Sequence, residues 1–395
     1  MYSLLLAIIY IAFISLGLPD SLLGSAWPVM YPQLGVPISY AGILSMIVAG
    51  GTIVSGLMSA RLTRRFGAGI VTAVSVMMTA IALLGCSFSK HFIVLCLWAI
   101  PYGLGAGAVD AALNNYVALH YASRHMSWLH CFWGIGASVS PYIMGHFLAT
   151  GYRWSGGYLT VGIVQIVLTA ILFFSLPLWK KHTANKETKN PPATIGLRQA
   201  LKIKGVKYIL IAFFCYCALE VTTGLWASSY LVGYHTIDAE TAAKFASLFY
   251  LGITFGRFLN GFIADKVKDN LLIRIGIIIV MIGVVLVGIP TIGKEGALAG
   301  LIIIGLGCAP IYPSIIHATP MNFGPENSHA IIGIQMASAY LGTTLMPPLF
   351  GLIADKINIG LYPVYLFLFA VLMLAMSEIL NRTISRKNVQ NTNPL

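Results

Sequence analysis

The chain has 395 residues, of which 58% are hydrophobic and 9% charged, with a mean hydropathy of +0.84. A soluble domain carries roughly a quarter charged residues, so this composition excludes a water-soluble globule and makes lipid the solvent for most of the surface. The formal charge of +12 does not call for nucleic acid, because the lysines and arginines gather in the loops on one side of the apolar runs.

Met1-Tyr2-Ser3 leads straight into Leu4 without a basic region or a small-residue cleavage site, which predicts a retained first helix rather than a removed signal. A spanning helix needs about 20 mostly apolar residues. Twelve such runs follow in chain order, over 4–32, 39–62, 67–88, 91–120, 126–150, 156–179, 207–234, 239–264, 271–291, 296–319, 328–354 and 359–381. They are too long and continuous for barrel strands of about 10 alternating residues, so helices must satisfy the backbone.

The first run contains L-P-D-S-L-L-G, which puts Asp20 near the bilayer centre between Pro19 and Pro28. Prolines remove backbone donors and free carbonyls; a helix broken this way either lines a binding site or is a packing kink. The fourth run carries Asp110 with Asn114 one turn on, an acid and an amide on one face. The fifth carries His130 and Trp133, spaced i, i+3. The polar stretch 180–206 then divides the chain six plus six. The seventh run contains A-L-E-V-T-T-G, with Glu220 and, six residues on, Trp226. The eighth holds Arg257 and the eleventh Gln335. The six cysteines all lie in apolar runs, Cys215-x-Cys217 is no metal spacing, and they read as small packing residues.

With the N-terminus placed in the cytoplasm, eighteen Lys and Arg fall inside, five outside and Arg257 within a span, accounting for all 24. That bias sets the orientation, with both termini cytoplasmic. The halves also repeat. Asp20 and Glu220 are each followed four residues on by glycine, Gly103-Leu104-Gly105 answers Gly305-Leu306-Gly307, and Gly136-x4-Pro141-x3-Gly145 answers Gly342-x4-Pro347-x3-Gly351. Parallel six-helix halves with the solute bound between them are a transporter design.

Two copies of a further pattern carry a family resemblance. Gly261-Phe-Ile-Ala-Asp265-Lys266-Val-Lys268 joins the eighth and ninth runs. Gly56-Leu-Met-Ser-Ala60-Arg61-Leu-Thr-Arg64-Arg65-Phe-Gly67 joins the second and third, with Ala60 where an aspartate is expected. The chain thereby resembles the major facilitator superfamily, approximately G-x3-D-[RK]-x-G-[RK]-[RK]. The resemblance implies an all-α membrane protein of twelve transmembrane helices in two pseudo-symmetric six-helix bundles. Residues 1–179 would form the first bundle, 180–206 a cytoplasmic linker, 207–382 the second bundle and 383–395 a tail. Arg61, Arg257, Asp265 and Lys266 would make gating or structural ion pairs. Asp20, Asp110, Leu113-Asn114-Asn115-Tyr116 and Trp128 through Gly136 also resemble the fucose permease and sodium–glucose-like branch. There, acids in the first and fourth helices are implicated in coupling and sugar recognition.

Asp20, Asp110 and Glu220 are expected to face the central path, because a charge in lipid costs several kcal/mol. With Arg257 the one base among them, at least two acids lack a cation. Burial favours the neutral form of such an acid, so it can take up and release protons; sodium is the alternative ion, and a static ion pair the alternative role. Asp20, Asp110, Asn114, His130, Trp133, Trp226 and Gln335 are the candidate substrate contacts, the indoles suiting the C–H face of a sugar. The sequence thus predicts a proton-coupled symporter of a small polyhydroxylated solute, a monosaccharide, in a bacterial inner membrane, as a monomer without cofactor or metal. An exporter of drugs, amphiphiles or lipids and a non-transporting sensor are the alternatives. No nucleophile elbow or other catalytic constellation points to an enzyme.

Overall fold

The computed structural model describes residues 2–121, 123–150, 153–180, 197–263, 266–289 and 293–392. Its helices are α1 (Tyr2–Asp20), α2 (Leu22–Leu34), α3 (Tyr40–Phe66), α4 (Ala68–Ser87), α5 (Phe92–His120), α6 (Ser123–Ala149), α7 (Trp154–Lys180), the short α8 (Leu197–Ala200), α9 (Val206–Gly233), α10 (Ala239–Ile263), α11 (Asp269–Gly288), α12 (Gly293–Phe323), α13 (Pro325–Ile353) and α14 (Tyr362–Thr392). No strand occurs among the described residues. The expected linker falls largely on 181–196, outside the described residues, and α14 runs on to Thr392, past its expected end at 381.

The first span is two helices, not one. Pro19 cannot bond the carbonyl four residues back, and that Ser15 carbonyl is instead met by the side-chain amide of Gln165 from α7. The chain turns at Ser21, whose hydroxyl donates to the Ala137 carbonyl of α6 over 2.7 Å. α2 then ends at Gly35, whose φ of 64° is the left-handed conformation that glycine adopts without strain.

Nine stretches of the described residues are long and apolar enough to cross a membrane on their own, against twelve expected spans. α13 and α14 run together in one of them, while α6 and α10 fall short. α6 carries His125, His130 and His146, and α10 carries Glu240, Lys244 and Arg257. These two polar helices pack on one another between the halves, where protein replaces lipid as their surroundings.

The repeat in the sequence is a repeat in packing. Gly103 of α5 lies against Val48 of α3, and Gly305 of α12 against Phe249 of α10; two residues on, Gly105 meets Ser75 of α4 and Gly307 meets Gly276 of α11. Gly136 of α6 lies on Ile14 of α1, and Gly342 of α13 on Phe214 of α9. Each glycine lets a neighbouring backbone approach to a distance that a side chain would block.

The halves touch through α2 with α9, α3 with α13 and α6 with α10. Gly134 of α6 meets Thr254 of α10 at mid-span, and further close approaches gather toward one end. Gly24 faces the Gly224 and Leu225 backbone, Gly42 faces Pro348, and Gly351 faces Trp226 and Ser39. Trp226 is wholly buried there and donates its indole N–H to the Pro347 carbonyl at 2.9 Å.

Candidate functional site

Asp20 sits at the break between α1 and α2. Its two carboxylate oxygens accept from different helices, Oδ1 from the Tyr102 hydroxyl of α5 at 2.9 Å and Oδ2 from the Trp133 indole N–H of α6 at 2.8 Å. The residue is exposed although Trp133 packs edge-on against Tyr250 of the other half at 6.2 Å, so its exposed surface faces the space between the halves.

Across that space, Glu220 of α9 pairs with Arg257 of α10, one guanidinium nitrogen lying 3.5 Å from Oε1. The same guanidinium lies 5.4 Å from the centre of the Trp133 ring, within the range of a cation–π contact. Asp20, Trp133, Arg257 and Glu220 therefore form one chain of contacts from half to half. The two repeat-related acids stand at its ends.

Asp110 lies half-buried one helix over, and its Oδ1 accepts from the Asn114 amide at 2.9 Å. Tyr312 of α12 and Tyr340 of α13 lie within electrostatic reach of it from the opposite half. Both acids of the first half are thus bonded to neutral donors of their own bundle. A carboxylate accepts, an amide donates and accepts, and a phenol does both, so the space between them suits a ligand with several hydroxyls.

Other expected site residues take other places. His130 rests with its ring edge-on to Phe13 at 5.7 Å, and it and Cys131 lie near Arg257. Gln335 is wholly buried and exchanges hydrogen bonds with Thr319 of α12 at 3.1 and 3.2 Å. That ties α12 to α13 and engages both ends of the amide. Trp226 belongs to the closed end, its N–H already taken by Pro347. Arg61 and Lys266 are exposed and make no ion pair among the described residues. Asp265 lies outside the described residues.

Two kinds of residue escaped the sequence reasoning. Tyr102 and Tyr250 are mid-span tyrosines, and their depth, away from either interfacial belt, was the available signal. The pairs Arg274–Glu378, closed at 2.6 and 2.7 Å, and His317–Asp269 at 2.8 Å join α11 to α14 and to α12. Their partners stand too far apart in sequence for spacing to reveal them.

A pocket inside the first half, lined by Pro19, Leu23, Met30, Cys86, Tyr102 and Tyr158 among others, shares Tyr102 with Asp20. A second, small one lies among Asn270, Asn322 and Asn381, away from Asp20, Asp110 and Glu220. Among the described residues, no group of three or more His, Cys, Asp or Glu could hold a metal ion. All six cysteines are free, four of them buried.

The sequence signature of the Major Facilitator Superfamily matches residues 9–347 and 246–393. The chain belongs to that superfamily. Bypass of stop codon protein 6 of Saccharomyces cerevisiae is 24% identical over 66% of the chain, a match that spans 57% of that relative's length. The glucose/mannose transporter GlcP of Bacillus subtilis is 21% identical over 80% of the chain and 78% of its own. In fold, the chain is similar to a bacterial homologue of the human lysosomal transporter Spinster in an inward-facing and occupied conformation, with a TM-score of 0.75, 14% identity and coverage of 97% of both chains. This superfamily member is accordingly a multi-pass, all-helical membrane protein.

Proposed function

We propose that the chain is a secondary active transporter that works by alternating access and moves a small polyhydroxylated solute, a monosaccharide, together with protons. The observation that carries this reading is the state of Asp20 and Asp110: two acids at mid-span, each held by neutral donors and neither by a cation. Such a group can gain and lose a proton without breaking an ion pair. The Asp110–Asn114 couple, with Tyr312 and Tyr340 opposite, supplies hydroxyl partners from both halves, and GlcP, named for glucose and mannose, supports a sugar.

With both termini in the cytoplasm of a bacterial inner membrane, the tight end at Gly24, Gly42 and Gly351 faces outward, so the chain is inward-open. The protein acts as a monomer, and sodium is the competing coupling ion. The test is uptake into proteoliposomes driven by a pH gradient. Asp20→Asn and Asp110→Asn should each abolish it; uptake unchanged by either would overturn the proposal. An exporter of amphiphiles is the second reading, favoured by the largely apolar lining of the pocket beside Tyr102. Competition by amphiphiles, and not by sugars, would select it.

A further inference from the structure

Two arginine–carboxylate pairs stand among the described residues, and they differ in kind. Arg274 grips Glu378 with both arms of its fork, at 2.6 and 2.7 Å. Arg257 reaches Glu220 with one nitrogen, at 3.5 Å, beyond the 2.7–2.9 Å or so of a charge-assisted hydrogen bond. A guanidinium has five N–H donors and no acceptor. With the Trp133 ring against it, Tyr216 beside it and only 14% of its side chain exposed, Arg257 leaves its fork unclosed on Glu220.

We propose that Arg257 is the anchor for a carboxylate on the solute, so that the preferred cargo is an acidic sugar, a hexuronate, whose carboxylate replaces that of Glu220. This rests on the reading of the site as one for a polyhydroxylated solute moved with protons. A planar carboxylate can close both arms of the fork, as Glu378 does on Arg274 and as Glu220 does not. Glu220 must first give Arg257 up, and a proton on its carboxylate achieves that. The proton gained by Glu220 then balances the negative charge that the solute brings, and the pair enters without net charge.

The surrounding groups make the proton obligatory. Glu220 faces Arg257 and Tyr250 from α10 and Cys308 from α12, with Tyr216 and Cys217 on its own helix. His130 and Cys131 of α6 stand beside Arg257, and Asp20 and Asp110 complete the charged set. Three acids against one base repel an anion unless protons accompany it. A neutral hexose carries no such requirement.

The test is binding of D-glucuronate and D-glucose to the purified full-length protein, at acid and at alkaline pH. Glucuronate should bind more tightly than glucose at acid pH and lose at least about tenfold in affinity at alkaline pH, a change of about 1.4 kcal/mol. Glu220→Gln, which removes the carboxylate that competes for Arg257, should lose less affinity for glucuronate between acid and alkaline pH than the wild type does. Arg257→Lys, a point charge without a fork, should lose about tenfold for glucuronate and less for glucose. Glucose bound with glucuronate excluded overturns this inference alone. So does an unchanged pH dependence in Glu220→Gln, which also answers the case in which an Arg257 variant fails to fold. If neither sugar binds to the wild type, the polyhydroxylated reading falls and this inference falls with it.

Discussion

Gly24 and Gly224, each four residues beyond an intramembrane acid, meet backbone to backbone where the two halves close. A side chain on Gly24 would collide with the Gly224 carbonyl and lie 3.0–3.1 Å from Leu225 backbone atoms. The repeat therefore places its paired acids, Asp20 and Glu220, one turn from the contact that holds one end shut. That proximity gives a physical route by which their ionisation can influence closure.

Gly24→Val should overpack this contact, at a cost of about 1–3 kcal/mol, and drive the halves apart at that end. Spin labels on cysteines at Gln33 and Ile357, both exposed on opposite halves, should report a longer distance and a broader distribution. An unchanged distance would show that the glycine contact does not set the closed state.

Trp133 has two separable roles, its N–H toward Asp20 and its ring toward Arg257. Trp133→Phe keeps the ring and removes the donor. A hydrogen bond to a charged group contributes about 1.5–3 kcal/mol, so proton-driven accumulation should fall by about tenfold or more while solute counterflow persists. Trp133→Ala should lose both. Equal losses of accumulation and counterflow in Trp133→Phe would assign the residue to packing instead.

Gln335 was a candidate solute contact, and its bonds to Thr319 make it an interhelical tie. Gln335→Leu should lower thermal stability by about 1 kcal/mol and leave the order of preference among sugars unchanged. A changed preference would return Gln335 to the site.

The fold was legible because lipid imposes a length and a composition on every span, and because repeated glycines mark close helix crossings. Asp20, Asp110 and Glu220 were legible for the same reason: charge is rare at that depth. Their partners were less so. Asn114 announced itself by its i+4 spacing from Asp110, whereas Tyr102 and Trp133 reach Asp20 from 82 and 113 residues away. Trp226 and Gln335 bond to Pro347 and Thr319 here, and an indole or an amide in a span has the same sequence signature whether it meets a ligand or another helix. The break at Ser21 was foreshadowed by Pro19, but what replaced the lost hydrogen bond, the Gln165 amide, depends on tertiary packing that no local pattern encodes.

Asp238 offers a test outside the membrane-spanning segments. Its Oδ1 accepts the backbone N–H of Thr241 at 2.8 Å at the start of α10. That bond holds its carboxyl below the usual 3.8. A depressed folded-state value means that the stabilisation is full above the ordinary carboxylate range and disappears as pH falls through the depressed value. Asp238→Ala should therefore cost about 1 kcal/mol near neutral pH, and the gap in melting temperature from wild type should close in strong acid. A gap independent of pH would mean that the charge plays no part.

Proton movement in response to solute alone is the direct test of coupling at Asp20 and Asp110. Proteoliposomes with no imposed gradient are given the transported sugar outside, and external pH is followed. The wild type should alkalinise the medium as sugar enters, and Asp20→Asn and Asp110→Asn should abolish this signal. Sugar entry without proton movement, or proton movement unchanged in both variants, would contradict it.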